Sequence, residues 1–127
     1  MSLEHILCID DEPDILEVAQ MALEMVGGLR VSCLDRSSQA VARATELMPD
    51  LILIDVMMPE QDGPSTLAAL KATPAVAHIP VVFMTARVQP DEIAGYLALG
   101  AAGVVPKPFD PMALPEQIRQ IWQAQHG

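Results

Sequence analysis

The sequence predicts a single α/β domain, a doubly wound parallel sheet built from five βα units, and two observations predict it. Short β-rich runs alternate with longer amphipathic segments, the pattern of parallel strands joined by crossover helices. Four of the apolar runs also stop on polar residues. His5-Ile6-Leu7-Cys8-Ile9 runs into Asp10-Asp11, and Leu51-Ile52-Leu53-Ile54 into Asp55. Pro80-Val81-Val82-Phe83-Met84 ends on Thr85-Ala86, and Gly103-Val104-Val105-Pro106 meets Lys107-Pro108-Phe109. Right-handed crossovers place the carboxyl ends of all parallel strands on one edge, so these polar residues belong to one place.

The elements follow in order. The first strand is expected over 4–9. A helix starts near Pro13, a residue suited to a first turn, and runs through Ile15, Leu16, Val18, Ala19, Ala22, Leu23 and Val26 until Gly27-Gly28 stops it. The second strand is expected over 29–34, and the second helix begins with Ser37 or Ser38 as its cap and continues to Met48-Pro49. The third strand covers 51–55. The stretch 57–63 is a loop by its Pro, Asp and Gly content, and a short third helix over 64–71 ends at Thr73-Pro74. A fourth strand covers 81–85, and a fourth helix over 90–99 is weakened by Gly95. The fifth strand covers 104–106. The fifth helix sets Leu114, Ile118, Ile121 and Trp122 on one face, and Pro115 requires it to start near Leu114 or to kink.

Composition bounds the function. A length of 127 residues fits one domain, and 51% hydrophobic residues supply its core although only Phe83, Tyr96, Phe109 and Trp122 are aromatic. A formal charge of −10 opposes nucleic-acid coating and an anionic membrane surface alike. Cys8 and Cys33 sit in apolar runs and read as small core residues of a reducing compartment, not as a bridge or a ligand pair. Glu4 and His5 interrupt any secretory leader, and no apolar run reaches the roughly 20 residues of a membrane span. A soluble, cytoplasmic protein is expected. His5, His78 and His126 lie far apart and outside the strand-end set, and the eight methionines read as core filler.

The strand ends carry the chemistry. Asp10-Asp11, Asp55, Thr85 and Lys107 converge if the sheet is parallel. Clustered carboxylates repel and need a counter-cation, and oxygen ligands suit a hard ion such as Mg²⁺. With such an ion present, one carboxylate can attack a phosphoryl group to give an acyl phosphate, while Lys107 neutralises the equatorial oxygens and Thr85 hydrogen-bonds one of them. Taken singly, each residue has a plainer reading: Asp10-Asp11 as a helix cap, Asp55 as an ordinary strand end, Thr85 as a turn residue, Lys107 as a solvated lysine. Their order along one chain favours the joint reading.

With these motifs in order, the sequence closely resembles the receiver domain of two-component response regulators over about residues 4–124. Asp10-Asp11-Glu12-Pro13, Asp55-Val56-Met57-Met58-Pro59 with Asp62-Gly63, Thr85-Ala86 and Lys107-Pro108-Phe109 carry the resemblance. It implies a flavodoxin-like (βα)5 sheet of order 2-1-3-4-5 and a domain filling residues 1–127. No output domain is expected in this chain, which is either a stand-alone receiver or one excised from a longer regulator or hybrid kinase. The resemblance implies Asp55 as phosphoacceptor, and Asp11 and Asp55 as Mg²⁺ ligands, with Asp10 assisting through water and the Met57 carbonyl as a further ligand. Mn²⁺ is a substitute for Mg²⁺. Thr85 becomes the switch hydroxyl, Lys107 the phosphoryl-contacting cation, and Lys107-Pro108 a cis peptide. The implied donor is a histidine kinase or histidine phosphotransfer protein. The output partner is unspecified, and the domain is a signalling phosphoacceptor rather than an enzyme.

Three positions depart from the family pattern. Val104 stands where a switch aromatic is usual, so phospho-switching is expected to involve a smaller rearrangement, or one read through the loop after Thr85 and the fourth helix. Met57 and Arg87 flank the site of the attacking water; Met57 cannot orient it by strong hydrogen bonding, which implies slow self-dephosphorylation. Pro106 removes a donor from the fifth strand, whose end is expected to bulge. Rival readings are a receiver-like interaction module with altered or lost phospho-switching, an aspartyl-nucleophile phosphatase, and a nucleotide or flavin binder. The phosphatase lacks its second acid at Met57, and the nucleotide binder lacks G-x-G-x-x-G and a P-loop.

Overall fold

The computed structural model describes residues 2–126. Five parallel strands, β1 (His5–Ile9), β2 (Arg30–Leu34), β3 (Leu51–Asp55), β4 (Val81–Thr85) and β5 (Gly103–Pro106), form one sheet in the order β2-β1-β3-β4-β5. Helices α1 (Pro13–Met21), α2 (Ala40–Leu47), α3 (Gly63–Lys71), α4 (Pro90–Ala98) and α5 (Leu114–His126) connect or follow them. The three central strands are buried at every residue, as expected for parallel strands covered on both faces. The edge strands β2 and β5 are only partly buried.

Side chains alternate across each strand and so feed two cores. Leu7, Ile9, Ile52, Ile54 and Phe83 pack with Ala40 and Ala44 of α2 and Leu67 and Leu70 of α3. Ile6, Cys8, Leu51, Leu53, Val82, Met84 and Val105 pack on the other face with Ala19 of α1 and Leu114, Ile118 and Trp122 of α5. Cys8 faces Cys33 in the β1–β2 register, and both thiols are free. Among the described residues no helix is long and apolar enough to cross a membrane.

Local details differ from the sequence reading in instructive ways. The first helix does not run uniformly to Gly27, because its last turn, Ala22–Val26, is π-helical. The Gly27 N–H reaches the Ala22 carbonyl, and a Cβ at Gly27 would stand 2.7 Å from the Leu23 carbonyl oxygen and 2.9 Å from Pro115 Cβ. Gly28 then turns the chain with φ +68°, a conformation glycine adopts at little cost. Ser37 and Ser38 do not cap α2. They lie in a 3-10 turn, and the Ser37 hydroxyl donates instead to the Gln61 carbonyl in the loop after β3. The α5 helix starts at Leu114, so Pro115 lies in its first turn, where its missing N–H costs nothing.

The expected bulge at Pro106 is absent. The β4–β5 register runs without interruption from Val82↔Gly103 to Thr85↔Pro106, and the Lys107 N–H donates to the Thr85 carbonyl at 2.9 Å. With bonding alternating along the strand, the Pro106 nitrogen faces the open edge, where a donor is not needed.

Candidate functional site

The carboxyl ends of β1, β3, β4 and β5 bring the strand-end residues together. Asp10 follows β1, and its backbone N–H is tied to the Leu34 carbonyl at 3.1 Å. Its side chain is 0% exposed; Oδ1 accepts the Glu12 N–H at 2.9 Å, and Oδ2 accepts from Lys107 Nζ at 3.0 Å. Asp55 closes β3, is 5% exposed, and accepts from Lys107 Nζ at 3.2 Å through Oδ2 and from the Met57 N–H at 3.3 Å through Oδ1. Lys107 thus bridges residues 97 and 52 positions away in the chain. The Lys107–Pro108 peptide is cis, as the resemblance implies.

Asp10, Asp11, Glu12 and Asp55 each offer a carboxylate oxygen within 4.8 Å of the others. Glu12 also lies 3.6 Å from Lys107 Nζ. Four carboxylates against one ammonium leave three net negative charges in the cluster. Burial pushes the Asp10 carboxyl above the usual range, opposed by the Glu12 N–H and by Lys107. Burial alone would pull the Lys107 ammonium down, but hydrogen bonds and charge from Asp10 and Asp55 outweigh it and hold the lysine above its ordinary value. Burial therefore dominates at Asp10, with repulsion from Asp55 adding least, and attraction dominates at the lysine. An oxygen-only donor set with surplus negative charge fits a hard divalent cation.

Thr85 ends β4 and is 4% exposed, but it stands outside the ion-pair network: its hydroxyl oxygen accepts the Arg87 N–H at 3.0 Å. The Met57 side chain is 70% exposed. An open cleft of about 480 Å³ lined by Asp11, Met57, Met58, Pro59 and Asp62 lies beside the acids.

The loop after Asp55 is closed by glycine for a steric reason. A Cβ at Gly63 would stand 2.9 Å from Val56 Cα, 3.2 Å from Phe83 Cε1 and 3.3 Å from the Asp55 carbonyl oxygen. The Gly63 N–H donates to the Val56 carbonyl at 2.9 Å, and Asp62 caps α3 by accepting the Ser65 N–H at 2.8 Å. That bond holds the Asp62 carboxyl below its usual range. Glu12 is the cluster member the sequence reading did not single out as a ligand; its place directly after two aspartates was the available signal.

The family described as response regulator receiver domain matches residues 6–119. The chain is 35% identical over 123 residues to the response regulator Rre1 of Synechocystis sp., covering 96% of this chain and 53% of the relative. It is 35% identical over 118 residues to the phosphate regulon transcriptional regulatory protein PhoB of Pseudomonas aeruginosa, covering 91% and 50%. The chain spans about half the length of these curated relatives. The chemotaxis response regulator CheY4 of Vibrio cholerae has a similar structure, with TM-score 0.86 and 25% identity over 94% of this chain and 99% of that one. A response regulator from Desulfuromonas acetoxidans gives 0.85 and 26% over 95% and 98%.

Proposed function

The chain belongs to the response regulator receiver domain family, and on that premise we propose that it is a phosphoacceptor whose acceptor is Asp55. The observation that carries this reading is the Lys107 ammonium held at once by Asp10 and Asp55 inside a cluster of four carboxylates. An oxygen of the Asp55 carboxylate attacks the phosphorus of a phosphohistidine in a histidine kinase or histidine phosphotransfer protein. The new O–P bond forms as the P–N bond breaks, and the departing imidazole takes up a proton. Lys107 lies within reach of the transferred group and offsets its charge, and the Thr85 hydroxyl exchanges its bond with the Arg87 N–H for one to a phosphoryl oxygen.

Asp10, Asp11 and Asp55, with the Met57 carbonyl, would hold Mg²⁺, or Mn²⁺ in its place, and Glu12 adds a further oxygen. When bound, the cation supplies charge neutralisation between acid cluster and phosphoryl oxygens. The domain acts as a cytoplasmic signalling module rather than an enzyme, and its charge of −10 opposes direct contact with nucleic acid. The exposed Met57 leaves the attacking water poorly oriented, while Arg87 can pair with the phosphoryl group or an acid, so the acyl phosphate is long-lived, and Met57→Asn shortens its lifetime.

Incubation with acetyl phosphate and Mg²⁺, followed by intact mass measurement, tests the acceptor. Wild type gains one phosphoryl group and Asp55→Asn gains none. Equal labelling of both proteins refutes the assignment.

A further inference from the structure

The β2 strand ends on Leu34 and contributes none of the strand-end residues, yet the chain just after it touches both loops that carry the acids. On one side the Leu34 carbonyl accepts the Asp10 N–H at 3.1 Å, where β1 runs into Asp10-Asp11. On the other side the Ser37 hydroxyl donates to the Gln61 carbonyl at 2.5 Å, in the loop between Asp55 and α3. The short run 34–37 therefore braces the two loops against each other.

The Ser37 bond is the stronger tie on the second loop. Ser37 is 2% exposed, so its hydroxyl depends on this acceptor, and α2 begins without a side-chain cap although the serine precedes it. A buried hydroxyl and carbonyl paired in this way are costly to separate. Within its own segment the loop is held by the Met57 N–H on Asp55 Oδ1 at 3.3 Å and the Gly63 N–H on the Val56 carbonyl at 2.9 Å. Among the described residues, only Ser37 and Ser38 bond to residues 57–62 from beyond 55–66. The Ser38 bond, to Glu60 Oε2, is long at 3.4 Å and exposed.

The two braced loops face each other across the cleft of about 480 Å³, with Asp11 on one wall and Met57, Met58, Pro59 and Asp62 on the other. A cation held by Asp10, Asp11, Asp55 and the Met57 carbonyl would draw its oxygens from both loops. Its affinity then depends on how the loops are set, and groups that orient ligands from behind contribute strongly to metal binding.

We propose that Ser37 is a positioning residue of the site: through the Gln61 carbonyl it sets the loop after Asp55 against the Asp10-Asp11 loop and so tunes how tightly a divalent cation is held. The proposal rests on the phosphoacceptor reading and its cation, and adds a residue from the strand that brings no chemistry of its own.

Calorimetric titration of the whole, unphosphorylated chain with Mg²⁺ compares wild type, Ser37→Ala and Asp50→Ala. Ser37→Ala removes one oxygen and no carbon, so the core stays filled. Asp50→Ala is the control, because it weakens the fold at the opposite end of β3. Ser37→Ala should bind Mg²⁺ about tenfold more weakly than wild type. Asp50→Ala should bind it as wild type does, although both variants lower the urea midpoint. A Ser37→Ala protein that binds Mg²⁺ like wild type overturns the proposal. Equal weakening in the two variants also overturns it, since global stability would then be the cause. Loading of wild type from acetyl phosphate, read by intact mass, reports separately on the acceptor. A wild type that loads while Ser37→Ala keeps full Mg²⁺ affinity leaves the acceptor standing without the brace, and one that neither loads nor binds Mg²⁺ overturns both.

Discussion

Asp50 and Asp55 flank the same strand, and the two ends of β3 hold them in opposite ways. At the N-terminal end, Asp50 Oδ2 accepts the backbone N–H groups of Glu4 and His5 at 3.0 and 2.9 Å. Beside it, His5 Nε2 and Ser32 Oγ share a hydrogen bond of 2.8 Å. This carboxylate is satisfied by peptide donors, and it ties the start of β1 to the start of β3. At the C-terminal end, Asp55 shares one lysine with Asp10 and sits among further acids that the protein does not neutralise. A strand-end aspartate is structural when backbone donors occupy its oxygens. It is chemically available when the fold leaves it to cations.

Removing the cation breaks the comparison most severely. In Lys107→Met the fully buried Asp10 loses its ammonium partner, and breaking such a pair costs about 3 kcal/mol of stability. Urea unfolding in metal-free buffer measures it, and Asp10→Asn added to Lys107→Met restores most of the loss. If the double variant is as unstable as the single one, the unpaired Asp10 charge is not the cause. Asp50→Ala comes next, at about 2 kcal/mol, because it strands the N–H of His5, a buried residue. That variant should still accept phosphate from acetyl phosphate, which separates the structural aspartate from the reactive one.

A third experiment adds the missing charge instead of removing it. Mg²⁺ at about ten times its dissociation constant should stabilise wild type by about 1.4 kcal/mol through mass action on the folded state. Asp11→Asn should lose most of that gain, whereas Asp50→Ala should keep it. Equal Mg²⁺ responses in the two variants would remove the distinction between the ends.

The end proposed as reactive was the more legible of the two in the sequence. Asp10, Asp11, Asp55, Thr85 and Lys107 each terminate an apolar run, and the parallel topology then brings Asp10, Asp55 and Lys107 together without any finer detail. The structural end leaves no comparable pattern. Nothing local marks Asp50 as the acceptor for Glu4 and His5, which lie 46 and 45 positions away. Ser37 illustrates the same limit, since a long-range carbonyl at Gln61 claims the hydroxyl that local rules assign to a cap. Gly27, which follows the π turn at Ala22–Val26, has Pro115 as a neighbour that no local rule reveals. Tyr96 and Phe83 lie on separate elements, and only their packing reveals that they form a pair. What periodicity and strand-end residues encode was readable, and what distant partners decide was not.

Acid should act on the two ends with opposite sign, and this is the smallest of the four effects. Burial first, and the charge of Arg30 second, hold the His5 imidazole below its ordinary value of 6.5, against the opposing pull of Asp50. The folded state therefore prefers the neutral ring. Between that lowered value and 6.5 the unfolded chain binds a proton that the folded chain refuses, so stability falls as pH drops through the window and levels off beneath it. At the other edge the folded state takes up a proton on Asp10 more readily than the unfolded chain does, because burial favours the neutral acid, and that edge gains as pH falls. Urea midpoints at about pH 7.5 and about pH 5.5, within the range where histidine titrates, should therefore differ less in His5→Gln than in wild type. If the two proteins lose stability equally over that interval, His5 is not the acid-sensitive group.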